Sequence, residues 1–152
     1  MSETDAAIRP AEAANAPAVA ACVAAAYEMY VARIGKPPGP MLDDYAAAIA
    51  NHRVFVLGEA GAVIGALVLI RQAGGLLLDN VAVHPDHQGR GLGRRLIDFA
   101  EAEARREGYA ALDLYTHEAM TENIAMYRAL GYAETGRRVE HGYRRVYMRK
   151  PL

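Results

Sequence analysis

Three glycines at alternate positions, Gly89, Gly91 and Gly93, separate an apolar run, Leu76 to Val83, from a helical pattern with Leu92, Leu96, Ile97, Ala100 and Ala104 on one face. The apolar run reads as a buried strand. Pro85 ends it, because proline has no N–H to donate to a ladder. Strand, glycine loop and helix in that order lay out an anion site. Glycine lets backbone approach backbone with no Cβ between. The first turn of a helix has N–H groups without intrahelical acceptors, and the helix dipole favours negative charge there. Arg90, Arg94 and Arg95 bring cations to the same turn. The chemistry these residue types suit is the binding of a ligand with phosphates.

The spacing narrows the ligand. A Walker loop needs Gly-Lys-Ser/Thr, which the chain lacks, and a dinucleotide fingerprint needs a glycine where Leu96 stands. What remains is Gln88-Gly-Arg-Gly91-Leu-Gly93 after Val81-Ala-Val-His-Pro85. This resembles the coenzyme-A pyrophosphate motif of the GNAT N-acetyltransferase superfamily, Gln/Arg-x-x-Gly-x-Gly/Ala. The resemblance implies acetyl-CoA as cosubstrate. Gln88, Gly89, Arg90, Gly91, Leu92, Gly93 and Arg94 would hold its pyrophosphate. Pantetheine would pair with Val81, Ala82 and Val83 like an added strand, and a backbone N–H there would hold the acetyl oxygen.

A second stretch, Asn123-Ile-Ala-Met-Tyr127-Arg-Ala-Leu-Gly-Tyr132, also resembles the family, whose fourth helix carries an Asn and then a Tyr before Leu-Gly-Tyr/Phe. The resemblance implies that Tyr127 lies near the thioester sulfur and protonates the departing thiolate, and that Asn123 touches the coenzyme. Aminolysis of a thioester needs a neutral amine, a place for the developing oxyanion, and help for the leaving thiolate. For the base, many members use a carboxylate on the strand equivalent to Leu76–Val83, and some use none. Asp79 is the one acid on that run. Burial among leucines would raise its pKa. His117 and Glu118 are rivals. Plainer readings stand beside these: Tyr127 has the spacing of a core residue with Ile124 and Leu130, and Asp79 suits a hydrogen-bonded structural acid.

The elements that position these residues follow from periodicity and punctuation. Ala6–Arg9 is a short strand. A helix starts near Pro17 with Asn15 as its cap, runs past Val19, Cys22, Val23, Tyr27 and Tyr30, and stops at Gly35. Pro37-Pro-Gly-Pro40 is a stiff connector to a helix over 42–50. Strands over 54–57 and 62–70 form a hairpin around Gly58–Gly61, and Gly74-Gly75 turns into the strand ending at Val83. The glycine-loop helix runs to Glu107, with Glu101 and Arg105 paired on its wet face. It is a crossover, so the next strand, 110–115, should be parallel to the strand ending at Val83. A helix over 122–130, capped by Thr121, precedes strands over 132–139 and 143–149. This predicts one α/β (α+β) domain over residues 1–152. The fold is GNAT-like: a mixed, mostly antiparallel twisted sheet of six to seven strands, its fourth and fifth strands a parallel central pair, with about four helices.

Composition sets outer limits. The chain has 152 residues, 53% hydrophobic and 23% charged, with net charge −1, so no whole-chain electrostatic case for nucleic acid or membrane arises. No apolar run reads as transmembrane, and the acidic start Met1-Ser-Glu-Thr-Asp5 lacks a signal-peptide profile. The lone cysteine, Cys22, suits a reducing compartment and reads as a small core residue. Together these favour a cytoplasmic protein. His84 and His87 lack an evident third ligand for a metal and read as loop residues. Arg137, Arg138, Arg144, Arg145, Arg149 and Lys150 make the last hairpin basic. The first reading is an acetyl-CoA-dependent N-acetyltransferase acting by direct attack of a primary amine on the thioester. A non-catalytic acyl-CoA-binding module and an RNA- or ribosome-associated protein are the alternatives. The acceptor, a small molecule or a protein amine, would meet Tyr27, Tyr30, the Pro37–Pro40 connector and the Glu140–Tyr143 turn. Oligomeric state stays open, a homodimer included.

Overall fold

Positive φ values of 52° at Ala60 and 83° at Gly61 fold the chain back from β2 (Arg53–Glu59) into β3 (Ala62–Gln72). Two left-handed residues in succession match the twist of an antiparallel pair. Along both strands the side chains alternate between faces. Phe55, Leu57, Leu67 and Leu69 enter one core, and Val54, Val56, Ala66 and Val68 the other. The computed structural model describes residues 6–152; the acidic start Met1–Asp5 lies outside the described residues.

The remaining strands are β1 (Ala7–Pro10), β4 (Gly75–Val83), β5 (Ala111–His117), β6 (Ala133–Glu140) and β7 (Tyr143–Pro151). They form one seven-stranded sheet in the order β1-β2-β3-β4-β5-β7-β6. Every neighbouring pair is antiparallel except β4 and β5, which are parallel as the helical crossover requires. Helices α1 (Ala16–Tyr27) and α3 (Tyr45–Asn51) put Val19, Val23 and Tyr45 on the valine face of the sheet. Helices α4 (Leu92–Arg106) and α5 (Thr121–Ala129) cover the leucine face with Leu92, Leu96, Ile97, Ala100, Ile124 and Tyr127. One single turn, α2 (Val31–Ile34), completes the set and ends at Gly35 with φ 90°.

Several local expectations are corrected. Asn15 takes the N-cap position of α1, but its side chain makes no capping bond; its Oδ1 accepts from the Glu12 N–H at 2.8 Å and from Arg9. Thr121 is the first residue of α5 rather than its cap. Helical turns run on from Ala13 to Ile34, 22 residues that contain a stretch of mean hydropathy 1.2, so one segment does reach membrane-crossing length by length and composition. In the fold its Val19 and Val23 lie against the sheet. Glu101 is not on a wet face. It is buried on α4, accepts from the Tyr132 hydroxyl at 2.9 Å and from Lys150 Nζ at 3.0 Å, and has Arg105 only at 3.8 Å.

One irregularity in β4 positions the site. Leu69 pairs with Leu78 and Val68 with Asn80, so Asp79 is the extra residue of a β-bulge. A bulge bends its strand and increases local twist. The parallel pairing with β5 covers only Leu76, Leu77 and Leu78 and ends where the bulge begins. Beyond that point β4 and β5 diverge, and a cleft opens between them.

Candidate active site

Past the bulge, the alternation of the antiparallel ladder decides which backbone groups face the cleft. The His84 N–H donates to Ile64 O at 2.8 Å. Two-residue alternation then turns the N–H and C=O of Ala82 and Asn80 toward β3, and those of Val81 and Val83 away from it. The contacts agree. Val81 O accepts from the Tyr27 hydroxyl at 3.2 Å, and Val83 O from Gln88 Nε2 at 3.2 Å. The N–H groups of Val81 and Val83 therefore lie on an open strand edge, able to pair with an extended ligand. Ala82 lines the same space but packs its methyl in the valine-face core.

The glycine loop closes one end of this cleft. Gly89 and Gly91 have φ values of 82° and 75°, a region open to glycine and strained for other residues. Gly91 caps α4, and the Arg95 N–H is bonded back to Gly91 O at 3.1 Å. The N–H groups of Leu92, Gly93 and Arg94 precede that bond and point out of the helix start. Gln88, Gly89, Gly91, Leu92, Gly93 and Arg94 line this lobe together with Val81, Ala82, Val83, Asn123 and Tyr127. Arg90 stands apart from the other residues of the motif. Its guanidinium turns to Glu59 on β2, at 2.7 and 3.0 Å, with His87 Nδ1 at 2.9 Å. Glu59 is held below the usual carboxylate range by that bond.

A second lobe opens on the far side of Val81. It is lined by Asp79, Asn80, Tyr115, His117, Met120, Tyr143, Arg145 and the Pro38–Pro40 segment. Tyr27, Val81, Asn123 and Tyr127 line both lobes and form the junction between them. Tyr127 is 5% exposed, and its ring packs edge-on against Tyr132 at 5.9 Å. Burial drives its phenol pKa well above the usual value, so the hydroxyl stays protonated. Among the described residues nothing accepts a hydrogen bond from that hydroxyl. Both readings of Tyr127 therefore hold at once: the ring is core, and the hydroxyl ends at the junction.

The three base candidates part company. Asp79 accepts from the Tyr115 hydroxyl at 2.8 Å, and burial raises its pKa, partly offset by that bond and by Arg145. His117 lines the same lobe, but its Nδ1 accepts the Ala119 N–H at 2.9 Å, so the neutral ring carries its proton on Nε2. Burial also lowers its pKa. That leaves His117 a donor toward the lobe. Glu118 faces the last hairpin, 3.3 Å from Arg137 and 3.8 Å from Arg144.

Sequence reasoning missed a polar chain under the junction. The Tyr27 hydroxyl donates to Asn80 Oδ1 at 3.0 Å, Asn80 Nδ2 donates to the Tyr45 hydroxyl at 2.8 Å, and Tyr45 donates to Pro40 O at 2.6 Å. A 3%-exposed asparagine in a run of leucines and valines was its one available signal. Cys22 is buried, and burial pushes its thiol up to about 11, which leaves it inert. His84 uses Nδ1 to accept the Asp86 N–H. The basic residues of the last hairpin all meet carboxylates: Arg137 with Glu134, Arg138 and Arg145 with Glu140, Arg144 with Glu118, Arg149 with Asp113, Lys150 with Glu101. Tyr143 donates to Pro37 O and Tyr147 to Glu140, and their rings carry Lys36 and Arg138. Arg137, Arg138, Arg144 and Arg149 keep about half or more of their side chains exposed, so their ion pairs lie on the surface.

A family model for the acetyltransferase (GNAT) domain matches residues 50–134, which contain the bulge, the glycine loop and Tyr127. Over 116 residues, 74% of its length, the chain is 33% identical to the IAA acetyltransferase of Azospirillum brasilense, of which it covers 76%. It is 40% identical over 57 residues, 38% of each chain, to the ribosomal protein bS18-alanine N-acetyltransferase of Escherichia coli strain K12. The crystal structure of the ribosomal-protein-S18-alanine N-acetyltransferase from Escherichia coli superposes with a TM-score of 0.79 over 97% of this chain and 94% of that one, at 23% identity. A GNAT family acetyltransferase from Elizabethkingia anophelis, with acetyl-CoA bound, gives 0.73 at 17% identity, covering 99% and 100% of the two chains. At those identities the structural likeness speaks for the fold.

Proposed function

The chain belongs to the GNAT acetyltransferase family, and we propose that it carries the acetyl group of acetyl-CoA to a primary amine by direct attack of the amine on the thioester. The observation that carries this reading is the junction itself. An open strand edge at Val81 and Val83, a helix start with outward N–H groups, and a protonated Tyr127 hydroxyl converge where two lobes of one cleft meet.

The residues present suit acetyl-CoA. Its pyrophosphate matches the N–H groups at the start of α4, where two positive-φ glycines leave the backbone bare. Its extended, amide-bearing arm matches the edge donors of Val81 and Val83. Acetyl-CoA supplies an acetyl group already activated as a thioester. The Val81 N–H would hold the acetyl oxygen and stabilise charge developing there. The Tyr127 hydroxyl would give its proton to the departing sulfur. Asp79, kept basic by burial, would take a proton from the incoming ammonium, through water where the span requires one. A cytoplasmic setting is part of the same reading and suits a buried, unoxidised Cys22.

The test is an acceptor screen that follows free thiol released from acetyl-CoA. Amine-dependent thiol release is the expected result. Acetyl-CoA that binds and shifts the melting temperature, yet releases no thiol with any amine, would leave a binding module instead.

A further inference from the structure

The acceptor lobe has a fastened roof. The connector after α2 is tied to β7 where the Tyr143 hydroxyl donates to Pro37 O at 2.5 Å and Lys36 Nζ sits 4.1 Å from the centre of the Tyr143 ring. It is tied to α3 where Tyr45 donates to Pro40 O. Pro38 and Pro40 stiffen the span between these ties. Tyr143 thus bridges the connector and the start of β7 and narrows the lobe on that side, which leaves a small pocket.

Its charged lining is sparse and of both signs. Asp79 and Arg145 line it, with the titratable His117 held toward its neutral form. Arg145 is fixed in orientation: its guanidinium carbon lies 4.3 Å over the Tyr115 ring, and Nη1 stands 3.2 Å from Glu140 Oε1. Its other edge faces the roof at Gly39, where a Cβ would stand 3.7 Å from Nη2. A Cβ there would be in ordinary contact, so the roof backbone runs beside the guanidinium. A planar, oriented guanidinium is the residue type that recognises a carboxylate.

We propose that the acceptor is a small molecule with a carboxylate beside its primary amine, an amino acid or a close analogue, the amine lying toward Asp79 and the carboxylate against Arg145. This rests on the reading of the site as an N-acetyltransferase. In the reaction the neutral amine nitrogen forms the C–N bond to the acetyl carbon and the C–S bond breaks. Asp79 takes the first proton from the ammonium. The second proton, lost from nitrogen after attack, passes to water. The thiolate takes the Tyr127 proton to become the CoA thiol, and Tyr127 is reprotonated from water.

The experiment measures thiol release from acetyl-CoA with three kinds of acceptor: a panel of amino acids, the decarboxylated amine of each (phenylalanine with phenethylamine, for example), and an alanine-initiated hexapeptide. At least one amino acid should exceed both its bare amine and the peptide in kcat/KM by about tenfold or more, equivalent to about 1.4 kcal/mol. Arg145→Gln should narrow the ratio between that amino acid and its bare amine, acting mainly through KM. Gly39→Val, at a glycine without positive φ, sets a branched side chain against Nη2 and should narrow the same ratio in a protein that keeps Arg145. Bare amines or the peptide used as well as amino acids would overturn the inference and leave the transferase reading standing. A ratio unmoved in both variants would overturn it too. No thiol release with any acceptor would overturn both readings.

Discussion

The Tyr27 hydroxyl lies 3.2 Å from the Val81 carbonyl oxygen, across the seam between α1 and the open edge of β4. The same hydroxyl donates to Asn80 Oδ1 at 3.0 Å. One phenol thus braces the two residues that follow the bulge. Tyr27→Phe removes that brace and leaves a buried amide oxygen without its donor. The expected cost is about 1–3 kcal/mol of stability. For a chain of this size that is a drop in Tm of roughly 2–4 °C per kcal/mol. The KM for acetyl-CoA should rise as well, because the strand edge that receives it is less firmly held. An unchanged Tm and KM would show that Val81 is held by the ladder alone.

At the other end of the cleft, Gly91 has φ 75°, and nothing lies within 4 Å of where its Cβ would be. Room is therefore not the constraint; backbone conformation and charge are. Gly91→Glu adds left-handed strain of about 1–2 kcal/mol and a negative charge at a helix start suited to phosphates. CoA affinity should fall by at least tenfold, about 1.4 kcal/mol, with native far-UV circular dichroism. Gly91→Ala separates the two effects, since it carries the strain without the charge and should bind CoA more tightly than the glutamate variant. Calorimetric titration with CoA reads both.

Much of this site was legible because it is local in sequence. The glycine loop, the outward N–H groups of α4 and the hairpin around Gly58–Gly61 all depend on neighbours a few residues away. The bulge at Asp79 was not legible, because the run Leu76-Leu-Leu-Asp-Asn carries no glycine or proline and the irregularity comes from pairing with β3. Arg90 sits within the motif, yet its charge goes to Glu59, 31 residues away. Glu101 has the spacing of a surface pair with Arg105, but Lys150 and Tyr132, distant in the chain, draw it inside. Asp79 was found as a candidate base through its isolation among leucines; its partner Tyr115, on the next strand, was not. In each case the missing information was a long-range partner.

Asp79 links function to stability through pH. Burial raises its pKa, so the folded protein prefers the carboxyl neutral and is destabilised when pH is high enough to ionise it. Asp79→Asn removes that charge and keeps an oxygen to accept from Tyr115. The variant should be more stable than the parent at pH 7. Its advantage should shrink as pH falls through the raised folded value toward the unfolded value near 3.9. Activity should move the opposite way: kcat falls in the variant, and the parent loses kcat on acidification at a pH above the ordinary aspartate range. Denaturant unfolding and pH–rate profiles check the two halves. An asparagine variant with parental kcat would remove Asp79 from proton transfer and leave it a structural acid.

Tyr127 separates an enzyme from a binding module. Its ring packs against Tyr132 and fills the leucine-face core, and its hydroxyl ends at the junction of the two lobes. Tyr127→Phe removes the hydroxyl and keeps the ring. Since no described group accepts from that hydroxyl, folding should lose little, and acetyl-CoA should bind nearly as before. A phenol that protonates a leaving thiolate acts in the transition state more than in the ground state. Turnover should therefore fall by roughly 10²-fold or more, the usual scale for a lost general acid. The loss should appear in kcat, with little change in the acetyl-CoA KM. A thiolate leaves fairly well unaided, so the loss is smaller where bond formation to the amine limits the rate. In that regime the deficit grows with pH, because solvent supplies fewer protons while the buried phenol, its pKa raised, still holds its own. Parental kcat in Tyr127→Phe across the whole pH range would reduce the residue to core packing and assign the proton on sulfur to water.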